Sequence, residues 1–177
     1  MKLVVAALFV LINITSLAQN KFLIGSKAYN STPSFTLTSN AKAFGHDLEV
    51  TILRNSKTGM IALSTDVFTD GVRIAGKALI YLDDNTVISC IDRGNFDFVD
   101  NTATTIYYLT EDEIVKMKNS NISVIRFNIK CYNCMISSEE GTFSAKLNSH
   151  LKDGYFFYER HLLTQRTSSM TAFSASD

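Results

Sequence analysis

Short segments in which apolar and polar residues alternate recur along most of this chain, and this pattern limits the fold more than any other feature. In residues 122–131, for example, Ile125, Phe127 and Ile129 alternate with mostly polar side chains. Alternation with period two is typical of a β-strand that has one buried face. Since no long helical pattern separates these segments, a doubly wound α/β fold is disfavoured. We expect a mainly β protein, an antiparallel β-sandwich or curled sheet of about seven or eight short strands, with an α+β fold as the alternative.

The clearest hairpin in the sequence has its turn at Asp83-Asp84-Asn85. Asp and Asn tolerate the backbone conformations that tight turns require. The flanking segments 77–82 and 86–91 are both predicted strands. Because they carry apolar residues on both faces, we expect both to lie in the middle of the sheet.

One short helix is predicted at residues 111–119. Thr110 can accept a hydrogen bond from the backbone N–H of Glu113, and the Glu113 carboxylate can accept one from the N–H of Thr110. Leu109 and Ile114 occupy the two positions of a hydrophobic staple around this cap. These features together predict where the helix begins.

The remaining segments are less regular. Residues 34–163 are expected to form one β-rich domain, within which 155–163 is compatible with either a strand or a helix. The other expectations are a linker or irregular lead-in at 19–33, an edge strand at 34–38, loops at 65–76 and 92–103, and a flexible tail at 164–177.

Residues 1–18 have the features of a cleavable signal peptide. Lys2 supplies a positive charge, residues 3–12 are apolar, and the small residues Ser16 and Ala18 precede the expected cut after Ala18. The apolar run is about half as long as a membrane-spanning helix, and no cysteine follows the cut to accept a lipid. We expect an exported protein, periplasmic or secreted, that is soluble and without a membrane anchor after cleavage.

The charge balance narrows the possible partners. The chain has 17 Lys and Arg against 17 Asp and Glu, and removal of Lys2 with the leader leaves 16 against 17. A net charge this close to zero gives no general attraction to nucleic acid or to anionic membranes. An unidentified protein or glycan remains the expected partner.

Cys90, Cys131 and Cys134 are the only cysteines, and the last two form a C-x-x-C motif. A thioredoxin-like motif opens a helix, whereas this one ends a predicted strand, so a redox enzyme is disfavoured. Exported proteins oxidise such thiols, and we expect a structural disulfide, either within the motif or from Cys90 to one member of it. A zinc site is the alternative, and its fourth ligand would be one of the three histidines, His46, His150 and His161.

Acidic residues are dense after the predicted hairpin. Asp92, Asp97 and Asp100 are candidates for a calcium site, because carboxylate oxygens are the ligands that Ca²⁺ prefers. Their spacing does not match an EF-hand loop, and Phe96 and Phe98 interrupt it. Since Asp is also an ordinary loop residue, we expect neither calcium nor zinc as a resident cofactor.

Sequence motifs of catalysis are missing: the chain has no G-x-S-x-G, no H-E-x-x-H and no phosphate-binding glycine loop. We therefore predict no catalytic residues.

Consecutive aromatic residues must place rings on both faces of a strand, and this makes Tyr107, Tyr155 and Tyr158 candidates for a binding surface. The sequence favours an exported, non-enzymatic binding or structural module. The alternatives are a metal-dependent or thiol-based protein that uses Cys90, Cys131 and Cys134, and an enzyme whose site the sequence does not reveal.

Several short segments occur in a recognisable order: Leu17-Ala18-Gln19, Leu82-Asp83-Asp84, the run from Tyr107 to Ile114, and Ile125-Arg126-Phe127 before Cys131. In this order the chain resembles small exported proteins of Bacteroidetes-type bacteria that have no assigned activity. The resemblance implies an exported, β-rich domain and carries no activity or site residues with it.

Overall fold

The structure is a computed structural model that describes residues 20–41, 47–54, 59–67, 71–132 and 140–147. The predicted leader, the predicted tail, residues 155–163 and the three histidines lie outside these ranges. The described elements, in chain order, are β1 (Asn20–Ile24), β2 (Lys27–Ser31), β3 (Phe35–Ser39), β4 (Leu48–Arg54), β5 (Gly59–Asp66), β6 (Val72–Ile74), β7 (Ala78–Leu82), β8 (Val87–Cys90), β9 (Asp92–Val99), β10 (Thr102–Leu109), α1 (Glu111–Asn119), β11 (Ile122–Cys131) and β12 (Gly141–Lys146).

The strands form one curled antiparallel sheet. Their order across the sheet is β8-β7-β11-β12-β3-β4-β5-β10-β9, while the β1–β2 hairpin extends from β4 and β6 pairs with β11. The first and last strands of this order, β8 and β9, are separated along the chain by Ile91 alone. The two ends of the sheet therefore lie close together, and the sheet is nearly closed into a barrel. This confirms the prediction of a mainly β curled sheet, although the described residues contain 12 strands rather than seven or eight.

The core fills the inside of the curled sheet. Ile125, Phe127 and Ile129 on β11 are at most 1% exposed, which confirms the face predicted from their alternation. Core residues from the other strands include Leu37, Leu48, Val50, Ile61, Leu63, Ile80 and Tyr107.

The helix α1 begins and ends where the sequence predicts. The Glu113 N–H donates to the Thr110 hydroxyl at 3.3 Å, and the Thr110 N–H donates to the Glu113 carboxylate at 2.8 Å. Ile114 then packs over the start of β5, where a Cβ atom on Gly59 would lie 2.7 Å from its Cδ1 atom. The lack of a side chain at Gly59 therefore lets the helix approach the sheet.

The predicted hairpin around Asp83-Asp84-Asn85 is confirmed as β7 and β8. Asn85 has a φ of 66°, a conformation that Asn tolerates. Asp84 accepts a hydrogen bond from the Thr86 N–H at 2.9 Å, and this bond lowers the pKa of the Asp84 carboxyl. The central placement of β8 is wrong, because within the described sheet β8 pairs with β7 only.

The expectations for residues 19–38 need correction. Residues 20–31, which we expected to be a linker or irregular lead-in, form the β1–β2 hairpin. The alternating apolar residues there, such as Phe22 and Ile24, are too few to give a recognisable period. The predicted edge strand at 34–38 is β3, which is not an edge because it pairs with both β4 and β12.

The predicted loops also need correction. Residues 92–103 form β9, a two-residue turn at Asp100-Asn101 and the start of β10, and both turn residues have positive φ. In β9 six of the eight residues are exposed, so that no buried face produces an alternating pattern. The predicted loop at 65–76 contains the short strand β6, which pairs with the far end of β11.

Candidate functional site

A groove lies on the outer face of the sheet, beneath the β1–β2 hairpin. Phe22 and Ile24 of β1 pack on an apolar cluster that points away from the main core. The groove beside this contact, which we call the outer groove, has a volume of about 250 Å³. Its apolar lining consists of Phe22, Leu23, Ile24, Val99 and Ile106, and its polar lining of Glu49, Ser64, Asp97, Thr102 and Thr104.

Four of the polar residues form a row straight across the sheet. Glu49 pairs with Ser64, Ser64 with Thr104, and Thr104 with Asp97, so that the row crosses β4, β5, β10 and β9. The hydroxyl oxygens of Ser64 and Thr104 are 2.8 Å apart and share a hydrogen bond. Since adjacent strands are spaced by about 4.8 Å, the two acidic residues stand about 14 Å apart at the ends of the row.

One side of the outer groove is the edge of a strand. Successive side chains of a strand point to opposite faces, yet Phe22, Leu23 and Ile24 all line the groove. Contact with three consecutive residues indicates that the groove runs along the edge of β1. Among the described strands β1 pairs with β2 only, so its second edge presents backbone N–H and C=O groups.

The charge in the outer groove has one sign. Glu49 and Asp97 are its charged residues, and no described lysine, arginine or histidine lines it. The hydrogen bond found for Asp97 among the described residues comes from the N–H of the adjacent Phe98, at 2.9 Å. The groove thus combines an apolar wall, two hydroxyl groups that bond each other, and two acidic side chains, with no described basic residue in its lining.

The cysteine predictions are partly corrected by the structure. Cys90 is a free thiol buried in β8, so a disulfide between Cys90 and the C-x-x-C motif is wrong. Burial, and the negative charge of Glu113, raise the pKa of the Cys90 thiol to about 12, which leaves it protonated and shielded from solvent. Cys131 ends β11 and is disulfide-bonded, while Cys134 lies outside the described residues.

The acidic residues predicted for calcium have other positions and partners. Asp92 accepts the N–H of Gly76 at 2.8 Å and that of Gly94 at 2.7 Å. Asp97 belongs to the outer groove, and Asp100 lies in the turn after β9. Within the described ranges no three His, Cys, Asp or Glu side chains form a group that could hold a metal ion. The described part of the chain does not bring these three residues together as a calcium site.

Tyr107 is a core residue and not part of an exposed binding surface, which corrects that prediction. Its ring is 0% exposed, and its hydroxyl donates to the carbonyl of Gly76 at 3.0 Å. Burial raises the pKa of this hydroxyl, with a smaller contribution from the Asp92 charge. The other two candidates, Tyr155 and Tyr158, lie outside the described residues.

An exposed stack of rings around an arginine was not predicted from the sequence. The guanidinium carbon of Arg73 lies 3.8 Å from the ring centroid of Phe96 and 4.3 Å from that of Tyr132. Arg73 is on β6, Phe96 on β9, and Tyr132 follows β11, so the stack joins the β9 end of the sheet to its opposite side. Cation–π contacts of this kind contribute about 0.5–1 kcal/mol each at exposed sites. We interpret the stack as a side-chain closure of the barrel.

Comparison of the chain with protein-family models, with curated proteins and with solved structures finds no match. Among the described residues, the structure has no helix with the length and apolar character needed to cross a membrane.

Proposed function

We propose that this protein is an exported, non-enzymatic binding module that holds its ligand in the outer groove. The observation that carries the proposal is the combination, in one concavity, of an apolar wall, a polar row and a strand edge with which no described strand pairs. Ligand sites are concave and mostly apolar, with a few polar groups that fix orientation. The outer groove has this composition.

The distribution of perturbed titratable groups supports binding rather than catalysis. Active sites gather such groups in a pocket. Among the described residues, the shifted pKa values belong to Asp84 in an exposed turn and to Cys90 and Tyr107 in the core. None of these three lines the outer groove, and the buried thiol of Cys90 is shielded from any substrate.

Export is supported by the leader features of residues 1–18. The first described strand starts at Asn20, two residues after Ala18, so cleavage after Ala18 leaves the described fold intact. We also infer that Cys131 pairs with Cys134, because Cys90 is free. The mass of the mature protein and a count of one reactive thiol per unfolded, unreduced chain test both statements. A chain that retains residues 1–18, or that has three thiols, contradicts them.

The binding proposal is tested by NMR titration of the mature protein with a mixed set of peptides, sugars and amines. We expect at least one ligand class to shift the amide signals of Glu49, Ser64 and Thr104 together. The proposal fails if no class of ligand shifts them.

A matched pair of variants then localises the binding. Val99→Trp places a large ring at the outer groove, whereas Val87→Trp places the same ring on β8, away from it. Both valines are about half exposed, at 58% and 47%, so both variants are expected to fold. We expect Val99→Trp to weaken binding at least tenfold and Val87→Trp to leave it unchanged. Equal loss in both variants would place the ligand elsewhere.

A further inference from the structure

We infer that the ligand of the outer groove is an extended peptide segment with basic side chains, which adds as a strand to the free edge of β1. The inference rests on the proposed function, because it takes the outer groove as the binding site. Three features of the groove carry it: the strand edge, the size and the charge.

The edge of β1 that no described strand pairs with, which we call the free edge, provides main-chain hydrogen bonds. An extended peptide that pairs with an exposed strand edge gains affinity from backbone bonds and specificity from alternate side chains. β1 has five residues, and at about 3.3 Å per residue it offers an edge of about 17 Å. A peptide of about five residues can pair along this length.

The size of the groove fits side chains better than a whole drug-sized molecule. Its volume of about 250 Å³ is below the roughly 300–1,000 Å³ of ordinary small-molecule pockets. In an added strand every second side chain points to the same face. The groove therefore receives one or two side chains while the peptide backbone stays at the edge of β1.

The charge of the groove selects basic side chains. Lysine and arginine have apolar stems that can pack on Phe22 and Ile106, and charged ends that can reach a carboxylate. Glu49 and Asp97 offer one carboxylate at each end of the polar row, with no described basic residue in the lining to compete. An acidic peptide would meet two like charges, and a neutral glycan would make no use of the strand edge.

The test uses three end-blocked octapeptides, with binding to the mature protein measured by fluorescence anisotropy. The first alternates valine with lysine, the second alternates valine with glutamate, and the third is the lysine peptide with every backbone nitrogen methylated. We expect the lysine peptide to bind at least tenfold more tightly than the glutamate peptide, and its affinity to fall as salt is added. N-methylation is expected to abolish binding, since it removes backbone donors.

Charge-neutralising variants locate the contact. Glu49→Gln and Asp97→Asn are each expected to weaken binding of the lysine peptide by about threefold or more. Asp112→Asn is the matched control, because Asp112 is an exposed acid on α1 that does not line the groove, and it is expected to leave binding unchanged.

The outcomes separate this inference from the proposed function. Equal binding of the glutamate peptide, full binding of the N-methylated peptide, or equal effects of all three variants overturns the inference. If a sugar or amine still shifts the groove signals in the NMR titration, the proposed function stands with a different ligand. If no ligand class shifts them, both are overturned.

Discussion

Two sets of polar groups in this protein differ in what they do. The first, which we call the Gly76 junction, consists of Asp92, Tyr107 and the backbone of Gly76. Asp92 accepts the N–H of Gly76 and Tyr107 donates to its carbonyl. The second is the polar row of the outer groove, which ends on Glu49 and Asp97. The junction has its polar groups paired within the fold, whereas the row presents its carboxylates to the groove.

The comparison shows that conspicuous residues in a sequence can be structural while unremarkable ones form the site. Asp92, Cys90 and Tyr107 are candidate site residues in the sequence. In the structure Asp92 and Tyr107 form hydrogen bonds within the fold, and Cys90 is a buried free thiol. Glu49 and Ser64 sit in ordinary alternating strands. A buried polar group needs its partner to offset desolvation, while an exposed carboxylate remains stable without one and stays available to a ligand.

The largest expected change in the free energy of unfolding comes from substitutions in the Gly76 junction. Tyr107→Ala removes a fully buried ring and should lower the free energy of unfolding by about 3–5 kcal/mol. Tyr107→Phe keeps the ring, removes the hydrogen bond to Gly76, and should cost about 1 kcal/mol. Urea denaturation measures both. A Phe variant as unstable as the Ala variant would show that the hydroxyl matters more than the ring.

Two aspartates on the same strand provide a matched test of the comparison. Asp92→Ala removes hydrogen bonds to two backbone N–H groups and should lower the free energy of unfolding by about 1–3 kcal/mol. Asp97→Ala, five residues along β9 in the outer groove, should change it by less than about 0.5 kcal/mol. Similar losses in both variants, measured by thermal or urea unfolding, would remove the distinction between the two sets.

The buried thiol predicts a loss of stability at alkaline pH. The pKa of Cys90 is raised from 9.0 to about 12 in the folded protein, so above pH 9 the unfolded chain releases a proton that the folded chain keeps. The stabilisation is fully present below pH 9 and is lost as the pH rises toward 12. From this thiol alone the free energy of unfolding should fall by about 1.4 kcal/mol per pH unit.

Cys90→Ala provides the control for the alkaline effect. Lysine and tyrosine also titrate in this range, so the informative quantity is the difference in pH dependence between the wild type and the variant. The variant should lack the contribution of one proton between pH 9 and 12. Parallel stability curves for the two proteins in that range would contradict the assignment.

The smallest expected effect on stability is in the outer groove. Glu49→Gln keeps the shape of the side chain, removes an exposed charge, and should change the free energy of unfolding by less than about 0.5 kcal/mol. A loss above 1 kcal/mol in urea denaturation would show that Glu49 has a structural partner and that the polar row is not available for binding.

Local elements of the fold could be predicted because their determinants are close in sequence. The capping box of α1 involves Thr110 and Glu113, three residues apart, and the buried face of β11 follows from period two alone. The loop prediction for 92–103 was wrong because β9 lies at the end of the sheet and most of its side chains are exposed. Without a buried face, the strand has no alternation of apolar and polar residues. The turn at Asp100-Asn101 was the one local signal for that hairpin.

The site itself was beyond prediction from the sequence. Glu49 and Asp97 lie in one row only because four strands pair in a particular order and register. The Arg73 stack likewise joins residues from separate strands. Such contacts depend on strand order, which alternation does not specify, since the same period fits many sheet topologies.

The sequence by itself therefore determined the class of fold, the helix and its cap, and the inward face of β11, because neighbouring residues and their periodicity decide these. The tertiary structure decided that Cys90 and Tyr107 are buried, that Asp92 accepts a hydrogen bond from the Gly76 N–H, and that the outer groove forms beneath β1. These depend on which distant strands lie side by side, and the curling of the whole sheet sets that arrangement.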